Sequence, residues 1–205
     1  MTRRGEKYGG RSRQERATDR RDRILTSALH LFGTHDYDDV TVADVCTGAK
    51  VSKRYFYEHF VDREDLVRVL HRHQNEWLLA EVASTTAQMP GDLEDMLRAA
   101  IHRLLTMLRA NPERAQVIYI IAPRMETRRR GVLREDAQFL AGMLRRAGGP
   151  ATDSIRYERM LLALVAGLSE VIIDWLSRDM TDDLDELADH LTDYCKAVLV
   201  SSSEP

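Results

Sequence analysis

Cysteine is scarce in this chain: 205 residues contain only Cys46 and Cys195. Two thiols this far apart exclude a disulfide framework and a cysteine-based zinc site, and each reads as a small buried hydrophobe. With 5 prolines and 11 glycines the chain is neither collagen-like nor of low complexity. Its 43% hydrophobic and 31% charged residues exclude wholesale disorder. Long apolar runs are also missing. The longest, Met160 to Leu168, is nine residues, whereas a membrane-spanning helix needs about 20, so no bilayer-crossing segment is expected. The N-terminus is arginine-rich but lacks the apolar stretch of a secretory signal, so the expected location is cytoplasmic. No HExxH, GxSxG, GxGxxG or Walker loop occurs, and no enzyme is expected. His71 and His73 lie two apart on a helix and face nearly opposite ways, so they do not chelate one ion. No metal and no cofactor are expected.

The net charge of −3 conceals an asymmetry. Residues 1–60 carry 12 basic against 9 acidic side chains, and residues 61–205 carry 18 against 24. A basic front on an acidic body suits contact with a polyanion. Residues 1–14, with Gly5, Gly9, Gly10 and scattered arginines, read as a flexible basic arm. The run Arg128-Arg129-Arg130 reads as a solvated helix face.

Helical periodicity begins after the arm. Ile24, Ala28, Leu31 and Phe32 form one stripe of a helix over about 15–33. One local pattern then recurs three times: Val40-Thr41 with Val45, Val51-Ser52 with Phe56, and Val61-Asp62 with Leu66. Each is a hydrophobic staple around a helix cap, so helices should begin near Val42, Lys53 and Arg63. A helix over about 42–47 followed almost at once by one over about 53–59 is a helix-turn-helix. Periodicity and breakers place further helices at about 62–85, 92–110, 112–121, 124–146, 154–178 and 182–200. No period-two alternation occurs, so the fold class is all-α.

Residues 23–70, from Arg23-Ile24-Leu25 through Tyr37, Thr41-Val42 and Val51-Ser52 to Phe56-Tyr57-Glu58-His59-Phe60 and Asp62-Arg63-Glu64-Asp65-Leu66, resemble the TetR family of bacterial transcriptional regulators. The resemblance covers about a quarter of the chain. It implies a DNA-binding head over 15–61, joined by a long helix to a helical domain over 62–205 that dimerises and binds a small effector. It further implies a repressor that leaves its double-stranded, palindromic DNA operator when the effector binds. The chain departs from the family pattern at Asp36 and Lys50, where glycine is usual, and at Tyr55, often threonine. In the left-handed conformation Lys50 costs about 1 kcal/mol more than glycine.

In a helix-turn-helix the first turn of the second helix reaches base edges, which points to Lys53, Arg54 and Tyr55. Phosphate contacts suit donors near helix starts: Thr41, Ser52, Tyr57, His59 and Arg63, with Lys50 from the turn. Tyr57, His59 and Arg63 also match positions that hold phosphates in the family. The effector cavity is expected among Trp77, Ile101, His102, Leu105, Gln116, Tyr119, Gln138, Phe139, Met143 and Leu164. A homodimer interface is expected from Met160, Leu164, Gly167, Leu168, Val171, Trp175, Leu184, Leu187, Leu191 and Tyr194 on the last two helices. A different class stays open, a helical protein-interaction adaptor with a basic RNA- or membrane-binding arm, which would not require the constellation from Thr41 to Phe60.

Overall fold

Helices and turns alone make up the described residues of the computed structural model, which are 12–86, 92–122, 126–146 and 154–201. In order these are α1 (Arg13–Thr34), a 3-10 turn (Tyr37–Asp39), α2 (Val42–Ala49), α3 (Lys53–Tyr57) and α4 (Arg63–Thr86). They continue with α5 (Leu93–Ala110), α6 (Pro112–Ala115), a π-helical segment (Gln116–Ile121), α7 (Glu126–Arg146), α8 (Ile155–Ser177) and α9 (Leu184–Ser201). Where one helix was expected over 112–121, Pro112 opens a single turn and the chain widens into the π segment. All but the last three residues of the expected arm, and residues 202–205, lie outside the described residues, as do the side chains of Arg128-Arg129-Arg130.

The chain forms two compact units, Met1–Arg72 and His73–Pro205, and the division falls inside α4, beyond the expected boundary at 61/62. In the first unit Ile24, Ala28 and Phe32 of α1, Val45 of α2, Phe56 of α3, and Leu66, Val67 and Leu70 of α4 are almost wholly buried. Local signals set each start. Ser12 and Glu15 form a capping box on α1, and Thr41 and Asp44 form another on α2. Gly48 is required by closeness, since a Cβ there would stand 2.3 Å from the Ser27 hydroxyl, which donates to the Val45 carbonyl at 3.0 Å.

The α2–α3 turn is a Schellman motif. Lys50 sits at φ 55°, ψ 47°, its N–H bonded to the Thr47 carbonyl, while the Val51 N–H bonds to the Cys46 carbonyl at 3.0 Å. Relief of this conformation is worth about 1–2 kcal/mol and the added freedom of an unfolded glycine costs about 0.5–1 kcal/mol. Lys50→Gly should therefore stabilise the chain by about 0.5–1 kcal/mol, read as a higher denaturant midpoint; a lower midpoint would show the strain is offset elsewhere.

In the second unit α9 packs chiefly on α5 and α7 on α8. Ion pairs fasten α9 to α5, Arg98 with Asp189 and Lys196 to Glu94 at 2.6 Å, and His102 Nε2 lies 3.4 Å from the Asp185 carboxylate. The apolar stripe of α9 is therefore spent inside the chain, and the expected interface needs correcting. Leu184, Leu187 and Leu191, with Leu164 and Trp175 of α8, are buried in this unit's own core. Gly167 lies against Tyr194 of α9, where a Cβ would fall 2.3 Å from the tyrosine oxygen. Met160 and Leu168 are partly buried against the same core, so of the ten residues only Val171 is exposed. Both cysteines are buried and free, and burial pushes the Cys195 thiol up to about 12.

α8 also bears on the membrane expectation. Its 23 residues are apolar enough, at a mean hydropathy of 1.8 over 18 residues, to cross a bilayer by length and composition, and only 28% of that window is buried. The nine-residue run concealed this, because isolated charges interrupt the helix without removing its apolar excess. What covers that excess bears on the function.

Candidate functional site

Five residues of α3 hang on one anchor. Phe56 is fully buried, while Lys53, Arg54, Tyr55 and Tyr57 are exposed, Tyr57 at 58%. The Arg54 side chain is 87% exposed, its Nε only 3.7 Å from a Glu58 carboxylate oxygen, a surface pair of small energetic weight. Arg20 of α1 lies 4.3 Å above the Tyr55 ring, which holds that ring without using its hydroxyl. Ser52 makes no side-chain capping bond, so its hydroxyl is uncommitted at the cap.

The other expected phosphate contacts divide. The Thr41 hydroxyl accepts from the Asp44 N–H at 3.2 Å and donates to the Asp44 carboxylate at 2.5 Å, which holds that carboxyl below its usual range. Arg63 is likewise committed, donating from Nη1 to the carbonyls of Val40 at 2.8 Å and Tyr37 at 3.1 Å and lying 4.0 Å from the Tyr37 ring centre. It clamps the start of α4 to the turn between α1 and α2, which removes it from the free donors. His59 is half-buried, with Nε2 enclosed. Lys50 is exposed on the turn. Lys50, Ser52, Lys53, Arg54, Tyr55 and Tyr57 thus form the accessible set.

The second unit contains a cavity of about 110 Å³ between α4, α5, α7 and α8, with Tyr119 of the π segment and Cys195 of α9 in its wall. Most of the lining is apolar: Leu78, Val82, Ile101, Phe139, Met143 and Ile172 among others. The polar groups are Asn75, Tyr119, Asp136 and Ser169. The Asn75 side-chain amide donates to Asp136 at 3.0 Å. Burial pushes the Asp136 carboxyl up to about 6, against the lowering effect of that bond, and Glu135 adds a further push; burial also raises the Tyr119 hydroxyl. Of the ten residues expected around an effector, Ile101, Tyr119, Phe139 and Met143 line this cavity. The other six lie elsewhere, for identifiable reasons. Trp77 is covered by the Arg114 guanidinium at 4.2 Å, and Leu105 and Leu164 are solid core. His102 faces Asp185, Gln138 is exposed on α7, and Gln116 is half-buried away from the lining. Asn75 and Asp136 were missed, although Asp136 precedes Phe139 and Met143 by three and seven residues, an acid within an apolar stripe.

Residues 24–70 match the family model for bacterial regulatory proteins of the tetR family. A search of curated proteins finds no match. Among solved structures the chain is similar to the fatty acid degradation regulator FadR of Bacillus halodurans, at TM-score 0.71 and 19% identity, covering 88% of this chain and 94% of that one. FadR of Bacillus subtilis, in complex with stearoyl-CoA, gives TM-score 0.67 at 16% identity over 89% and 99%. A TetR-family regulator of Streptomyces coelicolor gives 0.67 at 19% over 87% and 99%. Residues 24–70, which contain the helix-turn-helix, thus match the tetR family of bacterial regulatory proteins, and the chain as a whole shares the fold of TetR-family regulators.

Proposed function

We propose that the protein is a homodimeric, sequence-specific DNA-binding repressor whose affinity for a palindromic operator falls when a small effector fills the cavity of the second unit. The observation that carries the reading is α3, a helix anchored by Phe56 alone and presenting Lys53, Arg54, Tyr55 and Tyr57 outward. Lys53 and Arg54 suit guanine O6 and N7, and Tyr55 suits a thymine methyl or a hydrogen-bond acceptor. Lys50, Ser52 and Tyr57 suit phosphates.

A second copy is the partner that α8 calls for. Ala163 and Val171 are exposed and Leu162 and Ala166 half-buried, and a groove bordered by Leu133, Arg134 and Arg159 runs along Leu162, Ala163 and Ala166. This face takes the place of the buried residues of α8 and α9 in the interface. Dimerisation matters because two recognition helices meet successive major-groove faces only when held about 34 Å apart, or a multiple of it. α4 is continuous from Arg63 to Thr86 and lines the cavity with Leu78, Leu79 and Val82, so filling the cavity acts on the helix that starts in the head. The effector must bind the non-DNA state more tightly.

The operator is found by selecting bound genomic fragments. On that operator, Ala163→Glu with Val171→Glu should give monomers by sedimentation and lose at least about a hundredfold in affinity, the usual return from linking two sites, while the head stays intact. A wild type monomeric at micromolar concentration, or a double variant as tight as wild type, would remove the dimer from the proposal.

A further inference from the structure

Among the described residues, Asp136 is the only formal charge in the lining of the cavity. No lysine or arginine among the described residues lines the cavity beside it, and the group that hydrogen-bonds to it is the neutral amide of Asn75. The remaining polar groups, Tyr119 and Ser169, are neutral hydroxyls, and Glu135, its neighbour on α7, is exposed and of the same sign. A carboxylate withdrawn from water without a cation is costly, and a cation arriving beside it recovers that cost. We infer that the effector of this cavity is a small amphiphile with a protonated nitrogen, its amine seated on Asp136 and Asn75 and its apolar part against Ile101, Phe139 and Met143. The inference rests on the proposed function only in taking the cavity as the effector site.

Size and sign agree. A volume of about 110 Å³ is below the roughly 300–1,000 Å³ of drug-sized pockets, and of the order that holds one aromatic ring. An acyl thioester of coenzyme A, the ligand in the Bacillus subtilis FadR structure, is both too large for this volume and anionic. Its phosphates would find no cation among the described lining residues and would face Asp136.

The test is calorimetric titration of the full chain without DNA, using benzylamine, benzyl alcohol and benzoate, which share one ring and differ in charge. Benzylamine should bind at least about tenfold more tightly than benzyl alcohol, equivalent to about 1.4 kcal/mol, with benzoate weakest. Asp136→Asn should erase that order while leaving the alcohol bound. Equal binding of amine and alcohol, a preference for benzoate, or an amine preference that survives in Asp136→Asn would overturn the inference, as would failure of all three ligands to bind. If the variant does not fold, the order in the wild type decides alone. Operator binding measured in parallel separates the two readings: a chain that binds DNA but shows no amine preference loses this inference and keeps the regulator, and one that prefers the amine but binds no DNA does the reverse.

Discussion

Replacing Lys53, Arg54 and Tyr55 together with alanine should reduce discrimination between the operator and unrelated DNA by about 10²–10⁴-fold. The magnitude follows from about 1–3 kcal/mol for each base contact, taken as roughly 3–6 kcal/mol in total because neighbouring contacts do not add fully. Folding should be untouched. All three side chains are exposed, the anchor Phe56 remains, and the Arg54–Glu58 pair is too exposed to matter. Residual affinity should keep its dependence on salt, because Lys50, Ser52 and Tyr57 remain to meet phosphates. Competition titrations at fixed salt, with circular dichroism as the folding control, make the comparison; full discrimination by the triple variant would mean that α3 does not read bases.

Asp136→Asn should stabilise the protein above pH 6 and leave its stability unchanged near pH 4. In the folded chain the carboxyl titrates at about 6, against an ordinary value of 3.8. Between these values the folded state holds more protons than the unfolded state, so stability falls as pH rises through about 6 and is fully present below about 4. Asparagine removes that loss. The gain at pH 7 is set at about 2 kcal/mol, less than the full shift implies, because the carboxylate borders a cavity open to water. Urea unfolding at pH 4, 5, 6 and 7 gives the profile. A constant difference across this range would mean that the cavity does not desolvate Asp136; a loss of stability at pH 7 would mean that the carboxylate holds the cavity together.

The head was legible because its information is local. A cap and its staple lie within a few residues, so Val40-Thr41 with Val45 gives the start of α2 at Val42 in sequence and structure alike. The left-handed conformation that the family resemblance implied for Lys50, where glycine is usual, is the one it adopts. Tertiary pairing was harder. The stripe Leu184, Leu187, Leu191 shows that α9 buries a face, but only Arg98, Glu94 and the other groups on α5 show that the partner is in the same chain. The engagement of Arg63 inside the head was hidden for a related reason: its carbonyl partners at Tyr37 and Val40 are backbone atoms, which residue identities do not reveal. Asp136 and Asn75 come from α7 and α4 and become one group only on folding.

The π segment carries a consequence for how such a protein changes over evolutionary time. Its i→i+5 rings hold one more residue than the i→i+4 rings of an α-helix. Such a turn is the form a helix takes when one codon is added and the flanking turns keep their register. Losing that residue would let Gln116–Ile121 close into an ordinary helix with the flanking turns still in register, so the side chains that change place are those of the segment itself. Tyr119 is the cavity residue of this segment. Short insertions and deletions here offer a lineage a route to a new effector in one step, with α4, α5 and the head left as they are.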